Sequence, residues 1–141
     1  MYDILKAIAA VEVAGVPQFN FTYARRDFAN LYDELEVDKP HIFLDPVQID
    51  YNFSGVNQVE SSTQQGTFMI LVNSSIDEQS YDYRYQNYIK PLLAGAMETI
   101  QAALVCTYPV TISSWRTTEV INMLDYNMDG LIVTFNITID E

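Results

Sequence analysis

Cysteine is nearly absent: Cys106 stands alone in 141 residues, which excludes an intramolecular disulfide and any zinc site built from several thiolates. Its expected place is a buried helix end. Glycine is scarce too, at positions 15, 55, 66, 95 and 130 only. A dinucleotide fingerprint, a phosphate-binding P-loop and a Gly-x-Ser-x-Gly nucleophile elbow are therefore all missing. Bases are few, with 7 Lys and Arg against 19 Asp and Glu, a formal charge of −12. None occurs between Lys39 and Arg84 or after Arg116, and only Arg25 and Arg26 are adjacent. A surface that binds phosphate needs clustered bases to release counterions, so appreciable duplex DNA binding is not expected. No stretch approaches the roughly 20 apolar residues that span a bilayer. The start, Met1-Tyr2-Asp3 with Lys6 and Glu12 soon after, lacks the basic and then apolar character of a secretory signal. The expectation is a soluble protein kept in the cytoplasm, with no membrane partner and with Asn20, Asn52, Asn73 and Asn136 unmodified despite their sequons.

What is present suffices for one core. Hydrophobic residues make up 49% and charged residues 18%, close to the globular average, and a single domain over residues 1–141 is expected. Ile4, Leu5, Ile8 and Val11 recur at helical spacing from Asp3 to Val13, stopped by Gly15 and Pro17. Phe19, Phe21 and Tyr23 alternate as in a strand, and Phe28, Leu31, Tyr32 and Leu35 suggest a short helix with Asp33, Glu34, Glu36 and Asp38 outside. Val47 to Phe53 and Thr67 to Val72 read as antiparallel partners. Between them Ser54 to Gly66 reads as a long polar loop. Ser75 to Glu78 has the Ser-x-x-Glu form of a capping box, and a helix follows to about Cys106 along Tyr81, Tyr85, Tyr88, Leu92, Ala96, Ile100, Ala103 and Leu104. Pro91 should kink or divide it near Lys90. Val110 to Trp115 and Leu131 to Ile139 complete the strands. The class is α+β, a mainly antiparallel β-sheet with helices packed on one face.

Chemistry-bearing motifs are thin. His41 lies at a strand entrance with no marked triad or metal partners, and its expected role is that of a loop edge. Asp125-Tyr-Asn127-Met-Asp129-Gly130 matches the first half of a calcium loop, but position 12 is Asn136, and the segment after Gly130 reads as a strand where an EF-hand needs a helix. A turn between two strands accounts for it, with Asp-Gly supplying the turn geometry. No catalytic residue, cofactor or metal site is expected. Among the tyrosines around Arg84, Tyr81, Tyr85 and Tyr88 are assigned to the core and Tyr83 to a contact surface. The other expected contacts lie in the polar loop: Ser54, Gly55, Asn57, Gln58, Glu60, Gln64, Gln65 and Gly66.

In element order and length the chain resembles the small neck and tail-completion proteins of tailed bacteriophages, particularly the tail terminators. The features that carry the resemblance are the N-terminal helix Asp3 to Val13, the hairpin Val47–Phe53 and Thr67–Val72 with its polar loop, the helix Ser75 to Cys106, and the closing strand DGLIVTFNITI. The resemblance implies a tail-terminator-like fold and a non-enzymatic virion protein. Identical subunits would form a homo-oligomeric ring at the neck or tail, contacting other neck or tail proteins. DNA would pass through without specific binding, and an acidic lumen would limit its adhesion. The implied localisation is the virion, after assembly in the host cytoplasm. The alternatives from the residues alone are a monomeric protein-binding adaptor or assembly chaperone, and then an uncharacterised enzyme.

Overall fold

The structure, a computed structural model, describes residues 1–24, 39–74, 77–123 and 127–140. The expected short acidic helix and the Arg25–Arg26 pair lie outside the described residues. Tyr2–Ala10 forms α1, burying Ile4, Leu5, Ile8 and Ala9 on one face. It ends at Val11, before the expected Val13, because Glu12–Val13 (β1) folds back on Val16–Pro17 (β2) through Ala14 and Gly15, both at positive φ.

The main sheet contains β3 (Asn20–Tyr23), β4 (His41–Leu44), β5 (Gln48–Phe53), β6 (Val59–Asn73), β7 (Val110–Met123) and β8 (Met128–Asp140). Its order is β3-β4-β6-β8-β7, with β5 also paired to β6. Among the described residues only β3 and β4 run parallel; the other neighbours are antiparallel. Both β4 and β5 use the same edge of β6, β4 against Phe68 to Leu71 and β5 against Val59 to Gln65. Along its other edge β6 pairs with β8 from Ser61↔Asp140 to Asn73↔Met128.

This pairing corrects the expected loop Ser54 to Gly66. Its second half is strand: β6 begins at Val59 and runs for 15 residues. The polar residues there are held by backbone ladders on both sides, which sequence alternation alone does not register. Only Ser54 to Gln58 connects β5 to β6. The serine N–H donates to the Gln58 carbonyl at 2.7 Å, its hydroxyl accepts from the Val56 and Gln58 N–H groups, and Asn57 takes a positive φ of 61°.

The second helix, α2, spans Tyr81–Cys106. It starts later than the Ser75 capping box implied; Ser75 is outside the described residues, and Ser80 is the cap, its hydroxyl accepting from the Tyr83 N–H at 3.2 Å. Glu78, two residues before the cap, accepts from the Ser80 N–H. Pro91 does not divide the helix. Wider i→i+5 turns on both sides, Tyr85–Ile89 and Leu92–Met97, carry the chain past the missing N–H with Pro91 at φ −60° and ψ −34°. Those turns hold more residues than an α turn, so the buried face drifts from a 3.6 period. Ile89, Leu92, Ala96, Met97, Ile100 and Leu104 are buried, whereas Tyr81, expected in the core, is 71% exposed. Cys106 is also exposed rather than buried. By length and composition α2 could cross a bilayer, with a third of its most apolar stretch buried, a length that no run of purely apolar residues signals; that buried part packs on the sheet.

α1 and α2 cover one face of the sheet, where Ile42, Leu44, Phe68, Ile70, Leu131, Val133, Phe135 and Ile137 meet them. The opposite face carries a smaller cluster of Phe43, Met69, Leu71 and Met128. The class is thus α+β with a mostly antiparallel sheet and two helices among the described residues.

Candidate functional site

Strand alternation places Ile49 and Tyr51 of β5 on the helix side of the sheet, opposite Gln64 and Ser62. Among the described residues no helix covers them there. All six β5 residues are exposed, with Phe53 at 62% and Val56, in the connecting turn, at 74%. Together with Val59 these side chains form an apolar strip along the β5–β6 hairpin. A bulge between Asn52 and Phe53 breaks the register near the tip.

The polar residues singled out from sequence divide among three settings. Ser54, Gly55, Asn57 and Gln58 form the tip, and Glu60 follows, exposed, at the start of β6. Gln64 faces the helices and its Oε1 accepts from the Met1 amine. Burial lowers that amine's pKa, against the opposing pull of the Asp3 carboxylate. Gln65 lies on the other face, beside a shallow depression of about 420 Å³ lined also by Gln48, Thr67, Ser114, Thr134 and Asn136. Gly66 fits tightly against Val47, whose Cγ1 would stand 3.1 Å from a Cβ added there. Tyr83 is exposed on the first turn of α2, edge-on to Tyr88 at 6.2 Å. It does not join the hairpin. Its neighbour Arg84 pairs with Asp129, while Ser62 pairs with Ile139, about 33 Å further along β8 at roughly 3.3 Å per residue.

Two arrangements escaped sequence reading. Arg84, surrounded by tyrosines in sequence, is buried: its guanidinium donates to Asp129 at 2.9 Å, to Asn122 Oδ1 at 2.8 Å and to the Glu78 carbonyl at 2.8 Å. Asp129 also accepts from the Asn122 N–H at 2.9 Å. That carboxylate belongs to β8 and the Arg84 pair, not to a turn or a cation loop, which corrects the placement of Asp129-Gly130 in the turn; Asp125 lies outside the described residues. Among the described residues no group of three or more His, Cys, Asp or Glu could hold a metal ion. His41, expected at a loop edge, is buried in β4, stacked on Phe43 at 4.1 Å with Nε2 2.7 Å from Thr22 Oγ1. The second missed feature is a cleft of about 790 Å³ between β2 and α2, lined by Pro17, Phe19, Tyr88, Leu92 and Ala96 among others.

No family model matches the chain, and no curated protein matches it.

Proposed function

We propose that this protein is a non-enzymatic structural component of a tailed-bacteriophage virion, a tail-terminator-like or head–tail joining subunit that forms a homo-oligomeric ring at the neck or tail. The observation that carries this reading is the apolar strip Ile49, Tyr51, Phe53, Val56 and Val59, exposed along the hairpin among the described residues. Contiguous exposed apolar side chains mark association surfaces. The charge of −12 suits a ring through which DNA slides without adhering. The hairpin would reach a neighbouring subunit or an adjoining neck or tail protein, with Ser54, Gly55, Asn57 and Gln58 at the contact.

The test is native mass spectrometry and negative-stain microscopy of the purified protein, with the Phe53→Ser/Val56→Ser variant alongside. Rings for the wild type, lost in a variant of unchanged circular dichroism, support the reading. A monomer alone and with the neck and tail proteins encoded beside it rejects it. The apolar cleft beside α2 favours a second reading, a monomeric adaptor holding a partner segment there. Capture of one partner by a monomer, abolished by Ala96→Trp, would favour the adaptor.

A further inference from the structure

Among the described residues the large exposed apolar side chains gather at two opposite ends of the molecule. One group is the hairpin strip, Ile49, Tyr51, Phe53, Val56 and Val59. The other stands at the cleft between β2 and α2: Val13 is part of the lining, Val11 lies two residues before it, and Tyr81 and Tyr83 sit on the first turn of α2, Tyr83 edge-on to Tyr88 of the lining. Tyr23 and Val105 belong to neither group. The two ends are far apart. Val59 opens β6, and Val72, which lines the cleft, follows thirteen residues later, about 43 Å away at roughly 3.3 Å per residue. A hairpin tip therefore cannot reach the cleft of its own copy. We propose that it reaches the cleft of the next copy, where Phe53 and Val56 seat against Tyr88 and Gly95. The proposal rests on the homo-oligomeric reading above and specifies its junction.

The cleft is shaped to receive side chains. Its volume of about 790 Å³ is that of preformed sites lined mainly by apolar groups. Its α2 wall comes from the wide turns on either side of Pro91, and Gly95 leaves a recess there: a Cβ added to it meets nothing within 4 Å. The tip, for its part, is fixed before contact. The Ser54 hydroxyl accepts from the Val56 and Gln58 N–H groups, and the Ser54 N–H donates to the Gln58 carbonyl. Little chain entropy is then lost when Phe53 and Val56 leave water.

Charge complements shape. Copies of charge −12 repel one another, so a junction between them is favoured where a base of one meets an acid of the other. Glu60 is exposed directly after Val59, and Lys39 is the one charged residue among the described residues that line the cleft. Seating the tip brings these opposite charges toward each other, which sets its orientation. Because tip and cleft are different patches at opposite ends, the contact is heterologous and repeats from copy to copy, closing into a ring where the rotation allows. A contact of tip with tip would stop at two copies.

Blocking each half separately tests the junction. Phe53→Asp spoils the tip, whereas Gly95→Trp and, independently, Thr99→Trp fill the cleft from exposed positions of its lining. Each should reduce the wild-type oligomer at least about tenfold by native mass spectrometry, with unchanged circular dichroism. An equimolar mixture of Phe53→Asp with either cleft variant retains one working tip and one working cleft per pair, and should give a one-to-one heterodimer and nothing larger. In a Cys106→Ser background, Val56→Cys/Gly95→Cys should form a ladder of covalent oligomers on mild oxidation. Single variants that assemble like an oligomeric wild type, or a mixture without the heterodimer, would overturn the junction and leave the ring reading standing. A wild type that stays monomeric, alone and with the adjoining neck and tail proteins, overturns both.

Discussion

Arg84 and Asp129, 45 residues apart in sequence, form a 2.9 Å ion pair with side chains 1% and 0% exposed. It ties the first turn of α2 to the start of β8. Removing one partner strands the other charge out of water, so Arg84→Met or Asp129→Leu should each cost about 3–5 kcal/mol, whereas the double replacement should cost clearly less than the sum. Urea denaturation of the three variants measures the difference.

Gly130 and Gly95 should respond oppositely to alanine. A Cβ on Gly130 would stand 2.0 Å from the Ile70 carbonyl oxygen, inside the β6–β8 ladder, while one on Gly95 meets nothing within 4 Å. Gly130→Ala should destabilise by more than about 3 kcal/mol or prevent folding. Gly95→Ala, in a helix at ordinary φ, should stabilise by about 0.5–1 kcal/mol. Thermal melts decide both.

Shortening the hairpin separates turn from strand. Replacing Ser54–Gln58 with Asn-Gly should change stability by less than about 1 kcal/mol, because closure entropy varies slowly with loop length. Replacing Ser54–Gly66 in the same way should abolish the fold, since it removes half of β6. Circular dichroism and chemical denaturation distinguish the outcomes.

Millimolar calcium should leave Tm unchanged. The Asp129 carboxylate is engaged by Arg84 and by the Asn122 N–H, and a cation that bound the folded state would raise Tm by mass action. A chelator-reversible rise lost in Asp125→Ala would contradict this placement of Asp129.

The sequence revealed those elements whose side chains fall into one buried and one wet face. Leu131 to Ile139 reads as a strand because its odd positions face the helices, and α1 reads from Ile4, Leu5 and Ile8, while Val11, counted with them from its spacing, is exposed beyond the helix end. Val59 to Gly66 gave no such signal: Glu60 to Gln65 are polar on both faces, and the strand character comes from partners far along the chain, as with Thr63 and Thr138, 75 residues apart. Val47 to Phe53 alternates as though one face were buried, yet β5 is exposed throughout, because alternation reports a pleat and not what covers it. Phe53 and Val56, flanking Ser54-Gly55, were the visible hint of an apolar tip. Arg84 was illegible for a different reason. A buried charge is found only when its partner is known, and Asp129 read as part of a turn between two strands.

The position of β8 also governs when the molecule can form. It lies between β6 and β7 yet is made after both, so the sheet stays in two pieces until it is synthesised. The β7–β8 hairpin can zip locally, whereas docking onto β6 must wait for a distant segment, the slow kind of step in topologies dominated by remote pairing. Until then β6 has one edge open, the one opposite β5. The nascent chain therefore carries an unpaired edge of β6 until its last strand is made, an interval in which a strand of another chain can pair there instead.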